Sequence, residues 1–157
     1  GRNSVFLAER GLDVVAMDSS DVGLDKARRL ARDRGVTVDF RLADLDEWDW
    51  REAAFDVVAA IFIQFAGPAF RAQIFDGIER TLKPGGVLLL HGYTPEQLNH
   101  GTGGPPHAEN MYTREMLADR FADWQIERLE AYEEELREGS HHSGRSALID
   151  LVAHRPD

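Results

Sequence analysis

Gly1, Arg2 and Asn3 open a helix-forming run, "GRNSVFLAERG", and Asp18 closes the β-branched run "DVVAMD" that comes next. A glycine at such a turn lets backbone approach a ligand closely, and free amides at a helix start attract an anionic group. A carboxylate ending the following strand can accept both hydrogen bonds of a ribose diol. Asp44, after "VTVDFRLA", could accept from an adenine amino group, and Phe62, after "FDVVAAI", could pack on the ring. Ile63 follows Phe62, and His91, Gly92 and Tyr93 end the next apolar run. Together these positions suit the binding of an adenosine-like molecule.

Each feature alone has a plainer explanation. A strand-terminal Asp is commonly a turn former or helix cap. Asp44 stands among the acids of "DLDEWD", which reads as a solvated loop, and Phe62 fits a core. Their weight comes from the elements that must carry them.

Those elements alternate. Val5, Phe6, Leu7 and Ala8 fall in a short helix that Gly11 ends. Ser20 caps a helix with Leu24, Ala27, Leu30 and Ala31 at helical spacing, closed by Gly35. "FDVVAAIFI" is nearly unbroken apolar sequence, expected for a strand covered on both faces. "PAFRAQIFDGIERTL" repeats Phe70, Ile74, Phe75, Ile78 and Leu82 as an amphipathic helix, and "KPGG" turns into the strand "VLLLHGY". Alternating strands and helices imply right-handed crossovers and a parallel sheet, with ligands outside the strands' carboxyl ends. The last third differs. Thr94 as cap, Pro95 in the first turn and Gln97 as a capping-box residue read as a helix start, "NHGTGGPPHAEN" as a loop, and Thr113 as the cap of a helix reaching Phe121. "WQIERLEAYEEEL" and "SALIDLVAHR" then read as an antiparallel strand pair. The fold class is therefore α/β: a Rossmann-like, doubly wound, mostly parallel sheet ending in an antiparallel pair, with residues 1–157 as a single domain.

Composition narrows the function. A net charge of −10 argues against a nucleic-acid partner, because phosphate neutralisation needs a basic surface. There is no cysteine, which removes disulfides, thiolate zinc sites and cysteine nucleophiles. No apolar run reaches the roughly 20 residues of a membrane span, so no membrane partner and a cytoplasmic location are expected. No histidine–carboxylate set has metal-ligand spacing, so no metal is expected.

The stretches "GRNSVFLAERGLDVVAMDSS", "FDVVAAIF", "LKPGGVLLLHGYTPEQL" and "EGSHHSG" resemble class I S-adenosylmethionine-dependent methyltransferases, in particular the small tellurite-resistance-like branch. The family's loop has the form acid-x-G-x-G-x-G, of which Gly1 matches only the last glycine. The resemblance implies a domain whose first strand, loop acid and two glycines are absent, and hence a natural protein longer at its N-terminus. It also implies S-adenosylmethionine as methyl donor, S-adenosylhomocysteine as product, and a small-molecule acceptor, with a homodimer left open.

By the same resemblance, Gly1, Arg2 and Asn3 support the methionine part of the donor, Asp18 the ribose and Ser19 the adjoining backbone. Asp44 and Leu45 hold the adenine, and Phe62 and Ile63 line the donor site. On the acceptor side stand Tyr93 and His142, the latter because the branch carries a histidine between its "EG" and the next glycine. An imidazole titrating near pH 6.5 suits proton removal. The plainer alternative makes His141 and His142 exposed hairpin residues. Two other readings share the glycine turn and acid: a nicotinamide-dependent oxidoreductase, and a non-catalytic domain that keeps the fold.

Overall fold

The computed structural model describes residues 1–137 and 143–157 and divides the chain into two compact units, Gly1–Asp49 and Trp50–Asp157.

The first unit contains helix α1 (Arg2–Glu9), strand β1 (Val15–Asp18), helix α2 (Asp21–Arg34) and strand β2 (Asp39–Leu42), with β1 and β2 parallel. Its core is Val5 of α1 with Leu24, Ala27 and Ala31 of α2, the helical spacing expected from the sequence. Both ends of α2 are chemically specified. The Ser20 hydroxyl accepts from the Gly23 amide at 3.0 Å, and Gly35 takes the left-handed conformation, φ 67°, that stops the helix. Gly1 has a packing reason to lack a side chain: a Cβ there would lie 2.2 Å from the Ala27 Cβ.

The second unit contains β3 (Phe55–Ile61), α3 (Pro68–Thr81), β4 (Leu82–Tyr93), α4 (Arg114–Arg120), β5 (Gln125–Arg137) and β6 (Ser143–His154). The sheet order is β3-β4-β6-β5, parallel between β3 and β4 and antiparallel for the rest. Its core gathers Ile74, Phe75 and Ile78 of α3, Leu88 and Leu90 of β4, Leu117 of α4 and Ile149 and Leu151 of β6. Phe75, Phe121 and Trp124 extend it as an aromatic series with centroids 5.4 and 5.0 Å apart. The α/β class, the parallel crossovers and the closing antiparallel pair are thus as expected.

Four local expectations need correction. Among the described residues β1 hydrogen-bonds with β2 alone and β3 with β4 alone, so the strands form two sheets rather than one. Nor is β3 covered on both faces: Val57 is 37% exposed, and Asp56 and Ala59 are exposed too. "KPGG" does not precede the strand but lies inside β4 as an irregularity. There Gly85 adopts φ 71° and donates to the Arg155 carbonyl at 3.0 Å. Pro95–Asn99 is a 3-10 turn and not an α-helix, and Gln97 forms no capping box. Its buried amide instead donates to the Thr102 hydroxyl and Gly103 carbonyl, both at 3.0 Å, and accepts from Ala147 at 2.8 Å. A long-range use of the side chain outweighs the local one, because a buried amide left unmatched is costly.

Candidate functional site

In the first unit the carboxyl ends of β1 and β2 lie side by side. Asp18 pairs with Leu42, and the Ala43 amide donates to the Asp18 carbonyl at 3.2 Å, so Asp18 and Asp44 close adjacent strands. The Asp18 carboxylate is anchored through one oxygen: Oδ1 accepts from the Ser20 amide at 2.9 Å. Oδ2 makes no hydrogen bond among the described residues, and the side chain is exposed. One fixed oxygen and one open oxygen fit a ribose hydroxyl, since the turn holds the acceptor in place before the ligand arrives. Ser19 and Asp44 are exposed and Leu45 is half-buried. Gly1, Arg2 and Asn3 are exposed at the start of α1, where the Gly1 carbonyl accepts from Val5 at 3.0 Å. Gly1 meets α2 at Ala27, not at the turn that holds Asp18.

In the second unit the structure brings Phe62 and Tyr93 together, with ring centroids 4.7 Å apart and planes tilted by 33°. Phe62 has φ 54°, a left-handed backbone that costs a bulky residue on the order of 1–2 kcal/mol. The chain leaves β3 at this kink, with the Phe62 amide donating to the His91 carbonyl at 2.9 Å. Ile63 follows, half-buried. Tyr93 is 3% exposed and packs with Met111 and Leu148, so its ring is a wall of the core. His142 lies outside the described residues.

Two features escaped the sequence reading. Gln64 is buried, and its amide replaces a strand beyond the end of β3: Nε2 donates to the Tyr93 carbonyl at 2.8 Å and Oε1 accepts from the Tyr93 amide at 2.7 Å. Gly92 leaves room for this, because a Cβ there would stand 2.7 Å from Gln64 Oε1 and 2.9 Å from the Tyr112 ring. The second feature is the partner of His91. The His91 Nδ1 lies 2.6 Å from Asp150 Oδ1, directly across the β4–β6 ladder. Asp150 is also met by Arg128 at 3.2 Å and by the Tyr132 hydroxyl at 3.3 Å. Burial, reinforced by the Asp150 charge, pushes the Tyr132 phenol up to about 12, so it stays a donor. Burial, opposed in part by the Arg71 charge, drives the Tyr112 phenol well above its ordinary value. The only sequence signal for the His91 pair was a lone histidine and a lone aspartate within two apolar strands. Nothing local linked them.

Residues 1–86, more than half of the chain, match the family described as "Methyltransferase domain". A cypemycin N-terminal methyltransferase from a Streptomyces species is 31% identical over 133 residues, covering 76% of this chain and 51% of that protein. The chain thus spans about half the length of that curated relative. TehB from Haemophilus influenzae superposes with a TM-score of 0.79 at 16% identity, over 99% of this chain and 54% of the other. A SAM-dependent methyltransferase from Methanosarcina mazei does so with a TM-score of 0.76 at 19% identity, over 98% of this chain and 86% of the other. At these identities the two superpositions establish a shared fold.

Proposed function

We propose, for a chain that belongs to the methyltransferase domain family, that it transfers a methyl group from S-adenosylmethionine to a small-molecule acceptor. The observation that carries this reading is the Asp18 carboxylate, fixed by the Ser20 amide and open on its second oxygen, beside Asp44 at a pair of parallel strand ends. In it Asp18 and Ser19 receive the ribose edge, Asp44 and Leu45 the adenine, and Gly1, Arg2 and Asn3 the methionine end. Phe62 and Ile63 line the methyl group, with Tyr93 and His142 toward the acceptor. S-adenosylmethionine, when bound, supplies an electrophilic methyl carbon on a sulfonium. The side chains contribute orientation and exclusion of water, where most of the rate gain for such a displacement lies.

The same reading makes residues 1–157 one methyltransferase-like domain. It has the protein acting in the cytoplasm on a free metabolite or peptide end, without nucleic acid and with a homodimer as an allowed assembly. In support, no helix among the described residues is long and apolar enough to cross a membrane, and the net charge is −10. The 31%-identical relative is named as an N-terminal methyltransferase, which favours including a nucleophilic nitrogen in the acceptor panel. Calorimetric titration of the full-length protein with S-adenosylhomocysteine and with NADH tests the proposal. Binding of the first alone is expected. Binding of NADH alone would move the chain to the oxidoreductases, and binding of neither would leave a scaffold.

A further inference from the structure

Among the described residues, three histidines in the second unit pair with carboxylates, and they are not equivalent. His100 meets Glu133 and His154 meets Glu127, each through Nε2 at 3.0 Å. His91 meets Asp150 through Nδ1 at 2.6 Å, the closest of the three. The carboxylates differ most: Glu133 and Glu127 are 40% and 65% exposed and Asp150 is 22% exposed, while the His100, His91 and His154 side chains are 18%, 27% and 33% exposed. Only the His91 pair adjoins the carboxyl end of β3, where Ile61 stands opposite His91 and the kinked Phe62 sets its ring edge-on to the imidazole at 4.7 Å.

The engaged nitrogen decides what the ring can do. A carboxylate on Nδ1 holds the proton there and leaves Nε2 with a lone pair; a carboxylate on Nε2 consumes that position. His91 Nε2 makes no hydrogen bond among the described residues. Asp150 is itself steadied from β5 by Arg128 and the Tyr132 hydroxyl, with Glu130 opposite it in the ladder and ion-paired to Arg128 at 2.9 Å. Among the described residues the imidazole thus meets the Asp150 carboxylate and the Phe62 ring, and Arg128, Tyr132 and Glu130 act on it through or beside Asp150.

We propose that His91, oriented by Asp150, is the catalytic residue that removes the acceptor's proton, and that the acceptor carries a nucleophilic N–H or O–H. This rests on the methyl-transfer reading above. The acceptor's lone pair forms the new bond to the methyl carbon as the carbon–sulfur bond breaks, its pair returning to sulfur and leaving a neutral thioether. The acceptor's proton passes to His91 Nε2, and Asp150 stabilises the imidazolium so formed. Asp150 is a positioning residue: it acts through the ring.

The test uses the full-length protein and two kinds of readout. Nitrogen-15 NMR of the free protein, without donor or acceptor, is expected to show His91 as the Nδ1–H tautomer; in Asp150→Asn the Nε2–H form should grow. A dominant Nε2–H form in the wild type would overturn the proposal regardless of activity. In assays with amine and phenol acceptors, His91→Gln should lower kcat by about 100-fold, the lower end of general-base contributions, and abolish the acidic limb of the rate profile. Its affinity for S-adenosylhomocysteine should stay within about threefold of wild type. His154→Gln, a change at the exposed pair, should keep both rate and limb. Retention of the limb in His91→Gln, or its loss in His142→Ala instead, would refute the assignment. Failure of the wild type to bind S-adenosylhomocysteine would defeat the methyl-transfer reading, while the tautomer result would still stand for the pair.

Discussion

The two strand ends in each unit hold their polar groups in opposite ways. At β1 and β2 the acids are exposed, and what positions them is local: Asp18 is held by an amide two residues on, and Ser20 caps the helix three residues on. At β3 and β4 the groups are buried or half-buried, and their partners are remote. Gln64 reaches Tyr93 across 29 residues and His91 reaches Asp150 across 59. Local bonds survive at a solvated edge because they need little chain closure. A partly buried polar group must find a partner wherever the tertiary fold supplies one, since desolvation without it costs more than a hydrogen bond returns. The first unit is suited to grip a ligand that brings its own hydrogen bonds; the second is suited to hold groups in one geometry.

The largest expected effect on this contrast comes from Gln64→Leu. Removing the amide that serves both backbone groups of Tyr93 should cost roughly 2–3 kcal/mol in a denaturant titration, the scale of a buried orphaned donor. A loss under about 0.5 kcal/mol would mean the second unit does not depend on remote partners.

Asp18→Ala comes next and should separate binding from folding. Affinity for S-adenosylhomocysteine is expected to fall by about 2 kcal/mol, roughly 30-fold, as a charge-assisted hydrogen bond is lost. The unfolding free energy should move by about 1 kcal/mol or less, because the residue is exposed and contributes one turn bond. Unchanged affinity would remove Asp18 from the ligand site.

Ser20→Ala should act in reverse, lowering stability by about 1 kcal/mol through loss of the cap while shifting ligand affinity only slightly. Equal effects on both would show that the α2 start and the Asp18 turn are one device.

The smallest signal is alkaline. The Tyr132 phenol is raised from about 10 in the unfolded chain to about 12 in the folded one, so the folded state favours its neutral form. That contribution is complete below about pH 10 and fades as pH rises toward 12. Ultraviolet titration of the three tyrosines should show one ionising near 12 that disappears in Tyr132→Phe. If instead all three ionised near 10, the burial beside Asp150 would be wrong.

Much of the first unit was legible because its determinants are short-range. Leu24, Ala27 and Ala31 recur at helical spacing, Ser20 and Gly35 bracket the helix, and Asp18 follows a β-branched run. In the second unit periodicity located β3, α3, β4, α4 and the closing strand pair, yet several assignments were altered by distant contacts. Gln97 looked like a capping-box residue and became the anchor of a loop on β6. "KPGG" looked like a turn and became a bulge tied to Arg155. "FDVVAAIFI" looked fully covered, but Asp56, Val57 and Ala59 are exposed.

What the sequence alone determined, then, is the order of the elements, their caps, and the chemical type of each strand-ending residue, because spacing and side-chain chemistry act within a few residues. The tertiary structure alone decided that His91 faces Asp150, that Gln64 completes the edge of β4, and that the Tyr93 ring packs with Met111 and Leu148. Those facts depend on strand register, and register is settled by the burial of whole faces, which no local stretch encodes.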